Sequence, residues 1–293
     1  MPETEDVARA EVLVAPAALR AELDADPPHL LDVRWSLQRP DGRSDFEAGH
    51  LPGAVYVDLA TELAGPPSAA AGRHPLPEPA ALQAAARRWG LRQGRPVVVY
   101  DDLGGSSAAR AWWLLRWAGL REVRILDGAL AGWRAAGGPL ETGPVQPEPG
   151  DVVLPLAAGA APAMRTTDAD GVAAWSEGGV LLDARAGERY RGEHEPVDPR
   201  AGHVPGARSA PTTDNLDPAG AFRPAEELLD RFAAHGVTAG SRVAVYCGSG
   251  VTAAHQVAAL ASVGVDAALY PGSWSQWSSD PDRPVATGDE THT

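Results

Sequence analysis

The chain is written twice. "LLDVRW" at Leu30–Trp35 returns as "LLDARA" at Leu181–Ala186, and "GHLPGAVYVDL" from Gly49 returns as "GHVPGARSAPTTDNL" from Gly202. "WGLRQGRPVVVYDD" from Trp89 is answered by "HGVTAGSRVAVYCG" from His235, and "LDGALAGWRAAGGPL" from Leu126 by "YPGSWSQWSSDPDRPV" from Tyr270. The offsets run from 144 residues (Leu126 to Tyr270) to 153 (Gly49 to Gly202). That is far too long for a solenoid unit and suits two homologous domains. A length of 293 residues points the same way, because single cores stop growing near that size. The Pro-, Gly- and Ala-rich stretch after Glu141 has little helical periodicity and reads as a linker. The expected division is a first domain over 10–141, a linker over 142–165 and a second domain over 166–288.

Within each copy, short apolar runs such as "PVVVY" and "RVAVY" alternate with helical stretches such as "PAALQAAARRWG" and "PAEELLDRFAAHG". Strands apolar on both faces and separated by helices imply a parallel sheet covered on both sides. Each copy is therefore expected to be a small doubly wound α/β unit.

A formal net charge of −14 opposes the attraction that phosphate backbones require, which argues against nucleic acid as a partner. No run approaches the roughly 18 apolar residues that span a bilayer, and the first residues carry no basic leader, so no membrane association is expected. The chain has one cysteine and cannot form an internal disulfide, which makes the reducing cytoplasm the expected location. The eight histidines show no paired ligand spacing and no dinucleotide fingerprint follows a strand, so neither a metal nor an organic cofactor is expected.

The duplication separates scaffold from chemistry. Features in both copies most simply serve the shared fold: His50 and His203 in the "GHxPGA" turn, the pairs Asp32 with Arg34 and Asp183 with Arg185, and the tryptophans Trp133, Trp274 and Trp277 near the repeat ends. The asymmetric position lies after the strand "VVVY" or "VAVY". It is Asp101 in the first copy and Cys247, the chain's sole thiol, in the second.

A cysteine at the carboxyl end of a parallel strand, followed by a glycine-containing loop and a helix, sits where doubly wound sheets bind ligands. Backbone N–H groups from Gly248, Ser249, Gly250, Val251 and Thr252 can form an anion nest, and the following helix adds its positive end. Both favour the thiolate, the nucleophilic form of cysteine. A cysteine phosphatase would need an arginine six residues after the cysteine to hold phosphate; that position is Ala253.

These residues resemble the tandem-domain rhodaneses, the thiosulfate and 3-mercaptopyruvate sulfurtransferases. The resemblance runs through "LLDVRW", "GHLPGAV", "LDGALAGW", "RYRGE…GHVPGA" and "CGSGVTA", nearly the whole chain. It implies two tandem rhodanese-like domains, the second catalytic and the first without a nucleophile. It also implies that Cys247 takes sulfur from a small-molecule donor as a persulfide and passes it to an external acceptor: cyanide, a small thiol or thioredoxin. The neutral Gly248 and Ser249 resemble the mercaptopyruvate-preferring members, since thiosulfate-preferring members carry basic residues there. Arg189 matches the family's substrate-binding arginine, and Arg200 a second one, at a spacing two residues longer. Ser249, His74 and Asp58 match a proton relay in which the last two come from the first domain, which would place the active site between domains. Taken alone, Asp58 reads equally as a helix cap and His74 as a loop residue. The alternatives left open are a thiosulfate-preferring enzyme and a persulfide carrier or sensor without turnover.

Overall fold

The computed structural model describes residues 2–173, 175 and 178–289. The chain forms two compact units. Unit 1 comprises residues 1–65, 77–164 and 216–222, and unit 2 comprises 66–76, 165–215 and 223–293.

In unit 1 the strands β1 (Leu13–Val14), β2 (His29–Asp32), β3 (Val55–Tyr56), β4 (Val97–Tyr100) and β5 (Val123–Leu126) form a sheet in the order β1-β5-β4-β2-β3, with every pairing parallel. In unit 2 the strands β6 (Val180–Asp183), β7 (Arg208–Ser209), β8 (Val243–Tyr246) and β9 (Ala267–Leu269) repeat this as β7-β6-β8-β9, again parallel. A lone parallel bridge from Thr166 to Leu269 stands where β1 pairs with β5 in the first copy. Every side chain of "VVVY" and "VAVY" is buried, as a sheet covered on both faces requires. Each such valine contributes on the order of 1.5–3 kcal/mol through its removal from water.

The helices follow the apolar pattern of the sequence. In unit 1 they are α1 (Pro2–Val12), α2 (Pro16–Ala25), α3 (Arg43–Ala48), α4 (Leu59–Glu62), α5 (Pro79–Arg88), α6 (Ala108–Trp117) and α7 (Ala129–Ala135). In unit 2 they are α8 (Ala169–Ala173), α9 (Gly187–Arg191), α10 (Ala225–Ala234), α11 (Thr252–Ala261) and α12 (Ser273–Trp277). Proline opens α2 and α5 at the first turn, where its missing N–H costs no hydrogen bond. The central helices α6 and α11 are buried on nearly every face, which explains their runs of Ala, Leu and Trp.

The paired features of the two copies do equivalent work. Arg34 grips Asp32 and donates to the Gly49 carbonyl at 2.6 Å; Arg185 grips Asp183 and donates to the Gly202 carbonyl at 2.7 Å. The His50 ring stacks on Phe46 and meets the carbonyls of Leu51 and Gly143, while His203 stacks on Tyr190 and meets that residue's carbonyl. Trp133 and Trp277 both donate their indole N–H to a proline carbonyl at 2.8 Å, Pro139 and Pro284 respectively. The turn histidines, the ion pairs and the tryptophans are thus scaffold in both halves.

Among the described residues, no helix is long and apolar enough to cross a membrane.

Candidate active site

The order of strands reverses between β6 and β8, so the carboxyl ends of these two strands flank the crevice where doubly wound sheets place ligands. Cys247 is the first residue after β8 and is only 1% exposed. Its backbone is fixed by the turn before α12: its N–H donates to Ser273 Oγ at 3.1 Å, and its carbonyl accepts from the Trp274 N–H at 2.9 Å. Ser273 holds a left-handed conformation, φ +51°, that serine rarely adopts. Ala129 does the same at φ +52°, and there the next N–H, of Leu130, bonds the Asp101 carbonyl at 2.9 Å. The strained turn therefore belongs to the fold and not to catalysis, because the copy without a nucleophile has it too.

The loop after Cys247 curls back on the sulfur. The Gly250 N–H points at Sγ over 3.1 Å, and α11 begins two residues later. Gly250 has φ +80°, and a Cβ there would sit 2.5 Å from the Pro271 carbonyl oxygen, so only glycine fits. Gly248 is needed for a different reason than a left-handed turn. A methyl at Gly248 would lie 3.1 Å from Arg73 Nη2 and 3.3 Å from Arg189 Nη1, so the bare backbone lets two guanidinium groups approach the loop. Val251 stands at the N-cap position of α11 and Thr252 is its first residue.

In the first copy the same loop surrounds a carboxyl side chain. Asp101, at the place of Cys247, is fully buried, and its carboxylate accepts from the N–H groups of Leu103, Gly105 and Ser107 at 2.8 Å and of Ala108 at 3.0 Å. Burial pushes this carboxyl upward while the four N–H donors pull the other way. The nest of unit 1 is thus closed by the chain's own anion.

Around Cys247 the structure gathers most of the expected residues. His74 Nδ1 lies 2.8 Å from Ser249 Oγ. The two belong to one unit: the segment Pro66–Leu76, which precedes α5 in sequence, packs within unit 2. The segment is tied down by Arg73 N–H donating to Ser275 Oγ at 3.1 Å and by Gln276 Nε2 donating to the Ala70 carbonyl at 2.6 Å.

Arg189, on α9, has its Nη1 toward Gly248. Its Nε and Nη2 are held by Glu195, at 2.7 Å in the closest approach, and Nη2 also reaches Asp198 at 3.3 Å. Arg200 goes elsewhere. Its guanidinium donates to the carbonyls of Trp277, Ser278 and Arg283 at 2.8–2.9 Å and also to that of Asp280. The expected second substrate arginine is spent on closing the end of α12, which the longer spacing from Arg189 had already set apart. Asp58 caps α4 in unit 1, accepting from the Thr61 N–H at 3.1 Å, so the helix-cap alternative describes what it does there.

Three residues were missed in the sequence. Arg73 pairs with Asp198 and approaches the loop at Gly248, and Glu195 with Asp198 braces Arg189. Burial pulls the Arg73 guanidinium below its ordinary range, with the Cys247 sulfur the largest opposing influence. The signals were present as "GRHP", where Arg73 adjoins His74, and as the acidic "EHEPVD" that follows Arg189. Among the described residues no group of three or more His, Cys, Asp or Glu side chains is arranged to hold a metal ion.

This arrangement suits attack by sulfur on a small anion: a buried thiol at the sheet's switch point, an N–H aimed at it, two guanidinium groups approaching the next residue and a hydroxyl–imidazole couple at the residue after that. Comparison with known proteins agrees. The rhodanese-like domain family matches the chain twice, over residues 15–136 and 168–280. A Mycobacterium tuberculosis protein provisionally named thiosulfate sulfurtransferase SseB is 51% identical over 96% of this chain and 99% of its own. A Pseudomonas aeruginosa protein provisionally named 3-mercaptopyruvate sulfurtransferase is 47% identical over 94% of this chain and 98% of its own. The crystal structure of SseA from Escherichia coli, described as a 3-mercaptopyruvate sulfotransferase, superposes with a TM-score of 0.77 at 32% identity, covering 89% of this chain and 98% of that one.

Proposed function

The chain belongs to the rhodanese-like domain family, and on that premise we propose that it is a sulfurtransferase that takes sulfur from 3-mercaptopyruvate onto Cys247 and passes it to an external thiol or cyanide. The observation that carries the donor choice is the 2.8 Å approach of His74 Nδ1 to Ser249 Oγ beside the thiol. A donor whose leaving group is a carbanion equivalent needs a proton at the moment the carbon–sulfur bond breaks, and this couple is placed to deliver one.

The reaction divides into two displacements. The Cys247 thiolate attacks the donor sulfur, and the bond from that sulfur to the donor's methylene carbon breaks. The electron pair goes to carbon as the enolate of pyruvate. Ser249 gives its proton to that carbon and is reprotonated by His74, which recovers the proton given up by the donor's S–H, so pyruvate leaves and Cys247 holds a persulfide anion. The Gly250 N–H, which meets Sγ, and the amino end of α11 favour negative charge at this end of the loop. In the second displacement an acceptor thiolate attacks the outer sulfur, which restores the Cys247 thiolate. Arg189 Nη1 is the proposed contact for the donor's carboxylate. Asp58 enters the relay on the family resemblance alone.

With no second cysteine the chain cannot release its persulfide as an internal disulfide, so the acceptor comes from outside. A small thiol or thioredoxin fits this requirement, and the cytoplasm is the compartment proposed with it. Thiosulfate as the preferred donor is the second reading, favoured by the name of the Mycobacterium tuberculosis relative. Steady-state assays with each donor and cyanide distinguish the two. The proposal expects the higher kcat/KM with 3-mercaptopyruvate and one pyruvate released per thiocyanate formed; a preference for thiosulfate would overturn the donor assignment.

A further inference from the structure

We propose that Ser275 is a positioning residue for the His74–Ser249 couple, tying the backbone that precedes one partner to the backbone that precedes the other. Its catalytic consequence rests on the proton-delivery reading above. Ser275 lies on α12 and is only 4% exposed. Its N–H donates to the Gly248 carbonyl at 2.9 Å, one residue before Ser249. Its hydroxyl accepts from the Arg73 N–H at 3.1 Å, one residue before His74, and donates to the Gly272 carbonyl at 3.0 Å. One residue of α12 therefore clasps both the loop that carries the hydroxyl and the segment that carries the imidazole, whose own contact joins positions 175 residues apart in sequence.

The segment is shaped to meet α12 at this point. Gly72 has φ +86°, and a Cβ there would stand 2.7 Å from the Gly272 carbonyl oxygen and 2.8 Å from Ser275 Oγ, so only glycine lets the chain come this close. The duplication singles out the same residue. With Ser273 and Ala129 as equivalent left-handed positions, Ser275 falls on Ala131 and Gln276 on Gly132. The copy without a nucleophile thus lacks both side chains that hold the segment in unit 2. Its counterpart, the segment 216–222 between β7 and α10, is held in unit 1 by other means: the Phe222 N–H donates to Asp127 Oδ1 at 2.8 Å, and Arg9 donates to the Phe222 carbonyl at 3.0 Å. The hydroxyl at position 275 is therefore no part of the shared scaffold and accompanies the nucleophile.

The test is Ser275→Ala, followed by crystallography and by kcat and KM for both donors. The substitution keeps the N–H to Gly248 and removes only the hydroxyl link to Arg73. In the crystal, the separation of His74 Nδ1 from Ser249 Oγ should widen past hydrogen-bond range, beyond about 3.5 Å. In turnover, kcat for 3-mercaptopyruvate should fall by about tenfold, a part of what loss of the couple itself would remove, with KM changed by less than about threefold. Thiosulfate needs no proton on carbon, so its kcat should fall by much less. Placed in His74→Asn, the same substitution should lower kcat by less than about twofold, because the group it positions is gone. A residue that merely supports the fold would affect both donors alike and add its loss to that of His74→Asn. Gly72→Ala, which forces the segment away from α12, should reproduce the donor-selective loss. An unchanged separation in Ser275→Ala, or a loss that adds in full to that of His74→Asn, overturns the proposal. A widened separation in a protein that turns over neither donor would sustain the positioning role and reject the sulfurtransferase reading.

Discussion

Ser249→Ala removes the hydroxyl that meets His74 Nδ1 at 2.8 Å, in a side chain only 5% exposed. If the pair delivers the proton to the departing enolate, its loss should cost what a positioned general acid contributes, on the order of 10²–10⁴ in kcat. At about 1.4 kcal/mol per factor of ten, that is roughly 3–6 kcal/mol of transition-state stabilisation. His74→Asn should cost a similar amount, and the double variant little more than either single one, because the two residues act as a unit. The donor supplies the control. Thiosulfate releases sulfite, an anion that departs without protonation on carbon, so the same variants should reduce thiosulfate turnover by no more than several-fold. The assay is kcat and KM for both donors with cyanide as acceptor, with thermal unfolding of each variant alongside. Equal losses with both donors, or strictly additive effects in the double variant, would refute the proton-delivery reasoning and leave the pair a structural contact.

Other expectations follow from the same geometry. Gly250→Ala forces a Cβ to within 2.5 Å of the Pro271 carbonyl at φ +80°, so urea unfolding should show a loss of at least about 1–2 kcal/mol. An unaltered midpoint would contradict the steric account. Asp101→Ala strips the acceptor from four N–H groups, three of them buried, and should destabilise the protein by roughly 3 kcal/mol or more, whereas Asp101→Asn, which keeps one oxygen, should lose less. His29 is held at about 4 rather than the usual 6.5 by burial of its ring and by the charges of Arg95 and Arg92, with Asp151 opposing. Between those values the unfolded chain binds a proton there that the folded chain does not, so its contribution is complete above pH 6.5 and is lost as pH falls towards 4. The ring is only partly buried, so solvent screening leaves about 1 kcal/mol of this effect. His29→Gln should flatten that part of the stability-against-pH curve, and an unchanged slope would contradict the assignment.

The duplication made the architecture readable, because every β-branched run and every "GHxPGA" turn could be checked against its copy. Alternation of apolar runs with helical stretches gave the parallel sheets, and the single asymmetric position gave Cys247. Local geometry near that residue was legible for the same reason: a glycine three residues on is what a loop curling back on a sulfur demands. What the sequence could not carry was the path of the chain between elements. His74 and Arg73 precede α5, yet their segment packs in the second unit, and spacing along the chain says nothing of that. Arg200 looked like a grip through the family resemblance, despite a spacing two residues longer, while its actual partners, the carbonyls at the end of α12, become visible only once the fold brings residues 277–283 beside it. Glu195 and Asp198 were passed over because an acidic loop is ordinarily a solvated one, whereas here both carboxylates are buried against arginines.

The most direct test of sulfur transfer through Cys247 is the intact mass of the purified chain after one exposure to 3-mercaptopyruvate without acceptor, with pyruvate measured in the same sample. The account predicts one added sulfur per chain, matched by one pyruvate, removable by cyanide and absent in Cys247→Ser. Pyruvate release without added mass, or added sulfur that persists in Cys247→Ser, would contradict it.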